Sequence, residues 1–295
     1  MPGEFDLINW IAAQQTPSAL IPVPVGDDLA VLRWVGEDLL LVGVDQVLDG
    51  VHFDSSIHSP RQIGRKVMNR NLSDCAAMAC LPAAALTTAA LPWGMSLEYA
   101  QELYVGMREA GAQFDCPIVG GDTASWEGKL VMTVTILGRS AGIAPVTRRG
   151  AKPGDGIYVT GPLGGSILGR HMDFVPRIEL ARRLAQTDLL TAMIDISDGL
   201  SRDLDHICKQ SKVGALVEAE AIPIHADAIE LARQDNRSAL DHALHDGEDH
   251  ELLFTARAAP PDAVRIGRIV EGTDIALSRQ GRAEPLAAAG WEHRF

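Results

Sequence analysis

Positive charge is in short supply in this chain. Lysine and arginine total 26 against 39 aspartates and glutamates, a formal charge of −13. A nucleic-acid binder needs a basic stripe that displaces counterions along the phosphates. The one basic patch, "TRRGAK" with Arg148, Arg149 and Lys152, is too short for that, so nucleic acid is not an expected partner. No apolar run reaches 18 residues, which leaves no transmembrane helix and no membrane partner. "MPGEFDLINW" lacks a basic region followed by an apolar core and does not read as a secretory signal. Cysteine is scarce: Cys75, Cys80, Cys116 and Cys208 have no CxxC spacing, which suits buried thiols in a reducing cytoplasm. The nine histidines form no HxxxH or HxH pair, and no EF-hand loop occurs. A Walker A motif and the HRD and DFG elements of protein kinases are missing as well.

What is present is ordinary for a globular chain of 295 residues: 46% hydrophobic, 22% charged, long enough for two domains with their own cores. "LAVLRW", "DLLLVGVD", "AAALTTAALP", "CPIVGGD" and "KLVMTVTILG" read as strands. "SPRQIGRKVMNRNLSD" has Ile63, Val67 and Leu72 at helical spacing with basic residues on the other faces, and "SLEYAQELYVGMREAGAQF" is a second amphipathic helix. Periodicity stops after Gly138, and the Gly/Pro/basic connection "RSAGIAPVTRRGAKPGDG" divides the chain into expected domains 1–140 and 141–295. In the second half "IYVTG", "TAMID", "GALVEA", "HELLFTA" and "AVRIGRIV" read as strands. "PLGGS" reads as a tight turn into a helix, and "GLSRDLDHICKQ" is a helix with Leu200, Leu204 and Ile207 on one face. Both halves are α/β.

Acidic residues recur at strand ends. Asp27 and Asp28 precede a strand, Asp45 ends one, and Asp74 sits at a helical kink or restart. Asp122 follows a strand and two glycines, and Asp195 and Asp198 flank Ser197 in "IDISDGL". Each alone is turn chemistry, and the Ser/Asp pair also suits a helix N-cap. Together they put carboxylates in the loops where α/β folds keep their sites. Converging carboxylates raise one another's pKa unless a cation offsets them. Oxygen-only ligands suit Mg²⁺ or Ca²⁺, and Mg²⁺, favoured here, commonly shares its coordination with phosphates.

The motifs "GDDLAVL", "VDQVLDGVHF", "NRNLSDCAAM", "GGDT", "RRGAKPGD", "VTGPLGGS", "MIDISDGLSRDLDHI", "DGEDHELLFT" and "GWEHRF" run in order from residue 26 to the C-terminus. The succession resembles the thiamine-monophosphate kinase family, within the ATP-binding superfamily of aminoimidazole-ribonucleotide synthetase and selenophosphate synthetase. "VDxxxxGVHF" and "GEDxELLF" discriminate best. A selenophosphate synthetase would carry a reactive Cys near its N-terminus, where the first here is Cys75. The resemblance implies a two-domain PurM-like architecture of α/β (α+β type), with an N-terminal mixed-sheet domain forming a homodimer and a C-terminal α/β domain. It implies in-line transfer of the ATP γ-phosphoryl group to thiamine monophosphate, with no covalent or general-base residue. Asp27, Asp45, Asp74, Asp122, Asp195 and Asp198 would then be Mg²⁺ ligands. Gly121, Arg148, Ser197 and Tyr104 would contact ATP, and His52, Glu248 and Trp291 the acceptor.

Blander roles stand beside these. His52 suits a satisfied core histidine, Trp291 a domain-seam aromatic, and Asp49 and Asp249 carboxylates that either support the site residues from behind or are structural. The chain departs from the family pattern at Gln46, where threonine is expected, and at Asp246 and His250, which replace glycine and tyrosine. It is also shorter than expected after "GGSILGRH". Two alternatives stay open: another enzyme of the superfamily with a different acceptor, and a non-catalytic nucleotide-binding dimer that regulates a partner. Six retained carboxylates weigh against the second.

Overall fold

In the computed structural model the described residues are 19–23, 27–34, 36 and 38–292. Strands β1 (Ala30–Arg33), β2 (Leu39–Leu48), β3 (Leu81–Pro92), β4 (Ile118–Trp126) and β5 (Val131–Arg139) form one sheet in the order β1-β2-β5-β3-β4. The β3–β4 pair is parallel and the others are antiparallel. Strict alternation along β5 buries Met132, Val134 and Ile136 on one face and turns Thr133, Thr135 and Leu137 to the other.

Helix α1 (Pro60–Ala77) covers the buried face, and α2 (Leu97–Ala112) packs on α1. Ser59 starts α1 with a capping box, its side chain accepting from Gln62 N while the Gln62 side chain accepts from Ser59 N. The two helices cross in direct backbone contact. A Cβ on Gly64 would lie 2.0 Å from the Leu103 carbonyl oxygen, and one on Gly106 2.1 Å from that of Arg61. α1 runs unbroken through Asp74, so the expected kink is absent. Asp45 lies inside β2 rather than at its end, and Asp122 inside the edge strand β4 rather than after a strand.

The second sheet is built from β6 (Gly156–Val159), β7 (Leu190–Asp195), β8 (Gly214–Glu218), β9 (Leu252–Ala256), β10 (Val264–Val270), β11 (Ile275–Arg279) and β12 (Arg282–Pro285). Their order is β12-β11-β8-β10-β6-β9-β7, with only β8–β11 parallel. The turn "PLGGS" leads into a 3₁₀ turn at Ser166–Leu168 and a single turn of helix, α3 (Arg170–Asp173), not a full helix. α4 (Ile178–Gln186), α6 (Ala226–Asp235) and α7 (Ala239–His245) complete the helices with α5 (Leu200–Ser211). The buried face of α5 carries Leu200, Leu204 and Ile207 as its spacing predicts.

The seam positions the site. α1 touches β2, β3 and β5 of the first sheet and α3, α4 and β7 of the second half. Met68 and Leu72 of α1 share a core with Ala181 and Leu184 of α4 and with Met193 and Phe254. The end of α1 is thereby locked against the end of β7: the Ser73 hydroxyl donates to Asp195 Oδ2 at 2.5 Å. Among the described residues no helix is long and apolar enough to cross a membrane.

Candidate active site

At that junction the last turn of α1 presents Asp74, the end of β7 presents Asp195, and the turn before β1 presents Asp27 and Asp28. Asp28, Asp74 and Asp195 each put a carboxylate oxygen within 4.8 Å of the other two. They line a cleft of about 1320 Å³ together with Asp27, Asp45, Asp198, Arg148 and Ser197. Burial pushes Asp74 well above the ordinary carboxylate range, and Asp45, Asp195 and Asp28 add to it. Burial also raises Asp28, although Arg148 bonds it at 2.8 Å. Asp27 rises to about 6 through burial and the charge of Asp28. Burial works in the same sense on Asp195, but the His250 hydrogen bond and charge, with the Ser73 hydroxyl, hold it below its ordinary value. The cleft therefore carries more negative charge than its own cations offset, and its donors are mostly hard oxygens. That set fits Mg²⁺.

Asp198 does not cap α5. The cap residue is Gly199, with φ 116°, and its amide and that of Asp198 both donate to Asp203 Oδ2, at 3.0 and 3.1 Å. Asp203 reaches back from inside the helix, and burial with Asp198 and Asp195 raises it strongly. A second group, Asp198, Asp203 and His206, also brings ligand atoms within 4.8 Å. Asp28 and Asp203 are not among the ligands that the family resemblance implies. The Asp27–Asp28 doublet was the available signal for the first, and an acid in the opening turn of α5 for the second.

His52, Glu248 and Trp291 line the same cleft. His52 is both core and cleft: its Nδ1 accepts from Leu48 N at 3.1 Å, and its ring centroid lies 6.5 Å from that of Trp291. The chain carrying Trp291 folds back on the Asp198 turn. Trp291 N donates to Asp198 O at 3.0 Å, the Ser201 hydroxyl to Ala289 O at 2.6 Å, and Arg202 pairs with Glu292 at 3.2 Å. Gly290 permits the approach, because a Cβ there would sit 2.2 Å from the Asp198 oxygen. Glu248 and His250 have left-handed backbone, φ 52° and 50°, a conformation concentrated at functional sites. Their amides donate to Ser197 O and Ile196 O, both at 2.8 Å. The Glu248 carboxylate meets Lys66 at 2.7 Å, Arg70 at 3.3 Å and His171 at 3.3 Å. Burial would raise it, but the charges of Lys66 and Arg70 and the hydrogen bond from Lys66 hold it far below the usual range.

Three candidates stand apart. Gly121, Asp122 and Tyr104 line a separate, mostly apolar cavity of about 510 Å³ with Leu91, Leu103 and Met107. Register explains the separation: Asp45 pairs with Val134, Val134 with Thr87, and Thr87 with Gly121. Three strand spacings put Asp122 roughly 14 Å from Asp45. One chain therefore gathers five of the six expected ligands, and Asp122 is not among them.

The departures have local partners. Gln46 Nε2 donates to Thr133 on the next strand at 3.2 Å. Asp246 accepts from Gly165 N and Arg237 and bonds His242 Nδ1. His250 stacks on Phe174 at 3.8 Å. Asp249 accepts from Gly164 N and Arg170, and Asp49 from Ser55, so both are structural.

Two family models match: AIR synthase related protein, N-terminal domain, over residues 26–140, and its C-terminal domain over residues 152–279. A thiamine-monophosphate kinase of Rhodopirellula baltica is 44% identical over 271 residues, covering 89% of this chain and 83% of the relative. One from Aquifex aeolicus is 30% identical over 315 residues, covering 99% and 98%. A solved structure described as AaThiL complexed with AMPPCP and TMP superposes with a TM-score of 0.87 at 29% identity, covering 99% of this chain and 97% of that one.

Proposed function

The chain belongs to the thiamine-monophosphate kinase family, and we propose that its carboxylate cleft transfers the γ-phosphoryl group of ATP to thiamine monophosphate, giving thiamine diphosphate. One observation carries the reading: the Asp28–Asp74–Asp195 cluster and the His52–Trp291–Glu248 group open onto one cleft. Donor and acceptor can then meet without a carrier. Asp27, Asp45, Asp74, Asp195 and Asp198, with Asp28 beside them, would hold Mg²⁺. Bound there, Mg²⁺ offsets charge between the polyphosphate and the acceptor phosphate. Arg148 and Ser197 contact ATP from the same cleft. The acceptor's phosphate oxygen is already ionised at neutral pH and attacks the γ-phosphorus in line as the bond to the β–γ bridging oxygen breaks and ADP leaves, so no side chain is needed as base. Positioning by His52, Trp291 and Glu248 supplies the rest.

The working unit in this reading is a homodimer. The face of the first sheet turned away from α1 exposes Val44 and Leu86, and β4 is an exposed edge of nine residues, both of which call for a cover. A second copy there would bring Gly121, Asp122 and Tyr104 to the cleft. The domain boundary falls at 140/141, and four cysteines outside any disulfide fit a cytoplasmic location.

The test is ADP release with thiamine monophosphate, thiamine and aminoimidazole precursors side by side. Thiamine monophosphate should turn over and free thiamine should not, because the acceptor's own phosphate is the nucleophile. Faster turnover of thiamine would overturn the assignment.

A further inference from the structure

Lys66 lies on α1 at 0% exposure. Its Nζ donates to the His52 carbonyl at 2.6 Å, meets His171 Nδ1 at 2.7 Å and pairs with Glu248 Oε1 at 2.7 Å. An ammonium group has three donors and no acceptor, so these partners use its whole capacity. They come from three segments far apart in sequence: the turn after β2, helix α3, and the loop before β9. Two of the three belong to residues assigned to the acceptor. Glu248 also has a rival partner, since Arg70 reaches the same oxygen at 3.3 Å and holds Asp45 at 3.2 Å through its Nε. The carboxylate thus stands between a buried lysine that draws it to the His52 wall and an arginine that draws it to the metal side.

We propose that Lys66 is the positioning residue of the acceptor end, fixing the Glu248 carboxylate and the His52 backbone at the separation at which they receive thiamine monophosphate. The inference rests on the assignment of His52, Glu248 and Trp291 to that acceptor. Lys66 has no exposed surface and acts only through its partners. Without the ammonium, the His52 carbonyl and His171 Nδ1 lose their donor, and Glu248 keeps Arg70 and turns toward Asp45. Acceptor affinity then falls while the ATP side changes little. Burial also pulls Lys66 down to about 8, against the charge of Glu248 and with that of Arg70. The titratable groups around it are Glu248, Arg70 and His171, with His58 edge-on to His171 and His52 bound through its carbonyl. Lys66 is charged below pH 8 and loses its proton above, so the positioning weakens as pH rises through about 8.

Steady-state kinetics on the full chain test this with Lys66→Met, Glu248→Gln, the double variant and Trp291→Ala. Losing a charge-assisted hydrogen bond should raise the KM for thiamine monophosphate in Lys66→Met about 10- to 150-fold, with the KM for ATP unchanged within about twofold. The double variant should lose less than the sum of the two singles, because part of the Lys66 effect passes through Glu248 and only the His52 arm is independent of it. In wild type the KM for thiamine monophosphate should climb above pH 8, and the double variant should lack that climb. A folded Lys66→Met with an unchanged KM for thiamine monophosphate overturns the proposal, as does full additivity in the double variant. If Lys66→Met does not fold, the wild-type pH series decides, and a flat profile from pH 7 to 9.5 overturns it. Failure of the acceptor assignment looks different: Trp291→Ala and Glu248→Gln would then also leave that KM unchanged.

Discussion

Asp27 sits at the mouth of the cleft with its Oδ1 accepting from Arg148 N at 3.0 Å. Burial and Asp28 lift it from 3.8 to about 6. The sign follows from linkage. Below about pH 4 the carboxyl is protonated whether folded or unfolded and costs nothing. Between 4 and 6 the unfolded chain ionises it more readily than the folded one, so the folded state loses stability, and above 6 the loss is complete. At about 1.4 kcal/mol per unit, the metal-free protein gives up about 1–3 kcal/mol once water at the mouth is allowed for. Asp27→Asn keeps an acceptor oxygen for Arg148 N and removes the charge. In EDTA its melting temperature should draw ahead of wild type by a few degrees between pH 4.5 and 6 and hold that lead at pH 7. With Mg²⁺ and ATP the order should reverse. A lead independent of pH would mean that Asp27 is not held ionised at a cost. The carboxylates were legible as residues because acids beside a glycine (Asp27, Asp122, Asp198) or at the end of an apolar run stand out in a sequence. Of the cations around them Arg148 was legible too, but Lys66 and Arg70 were not. Lys66 and Arg70 lie on the faces of α1 away from its apolar spacing, yet Lys66 is fully buried, with His171 and Glu248 of the second half among its partners.

At the start of α5 the capping group sits inside the helix, four residues beyond the glycine it serves. Asp203→Ala should remove both backbone bonds and lower the melting temperature by an amount corresponding to about 1–2 kcal/mol. Asp203→Asn keeps an acceptor and sheds a strongly raised carboxyl, so it should melt at or above wild type in EDTA. Asp198→Asn should likewise melt no lower in EDTA, lose most of its stabilisation by Mg²⁺ and ATP, and lose nearly all turnover. In wild type that stabilisation is about 2.7 kcal/mol at 100 times Kd. A lower melting temperature for Asp198→Asn with an intact ligand shift would return the capping role to Asp198. Long elements were readable: β5, α1, α2 and α5 follow their apolar spacing, and β2 and β3 show as apolar runs. The apparent restart at "LSDC" was an error of a specific kind. Ser73 and Asp74 look like a local cap, but Ser73 spends its hydroxyl on Asp195, a partner 122 residues away that no local pattern reveals. The short strands β1, β6 and β8 were readable, but α4, β11 and β12 escaped. α4 buries only Ile178, Ala181 and Leu184, and β11 and β12 are five and four residues long.

For the whole molecule, a chain of charge −13 that joins two anions needs cations from elsewhere and a closed arrangement of its own acids. Within one chain Asp122 stays outside the cleft, on the far edge of the first sheet with Gly121 and Tyr104 around a different cavity. A sequence carries no strand register, so six acids in family order looked equivalent. The register separates the sixth by roughly 14 Å. If a second copy covers the exposed face and edge, its Asp122 completes the first copy's cleft, and the closed two-fold arrangement makes two such composite sites. Asp74→Asn and Asp122→Asn should then each be inactive alone and complement each other when co-expressed. Random pairing gives half heterodimers, and each of these has one composite site with both substitutions and one with neither. Activity should recover to about a quarter of wild type, and separating the heterodimer by differential tags should raise this to about a half. If Asp122 served the cleft of its own chain, every site in the mixture would carry one substitution and nothing would recover. Complementation measured as thiamine diphosphate formed per active-site equivalent separates the two arrangements, and its absence in a purified heterodimer would remove Asp122 from the shared site.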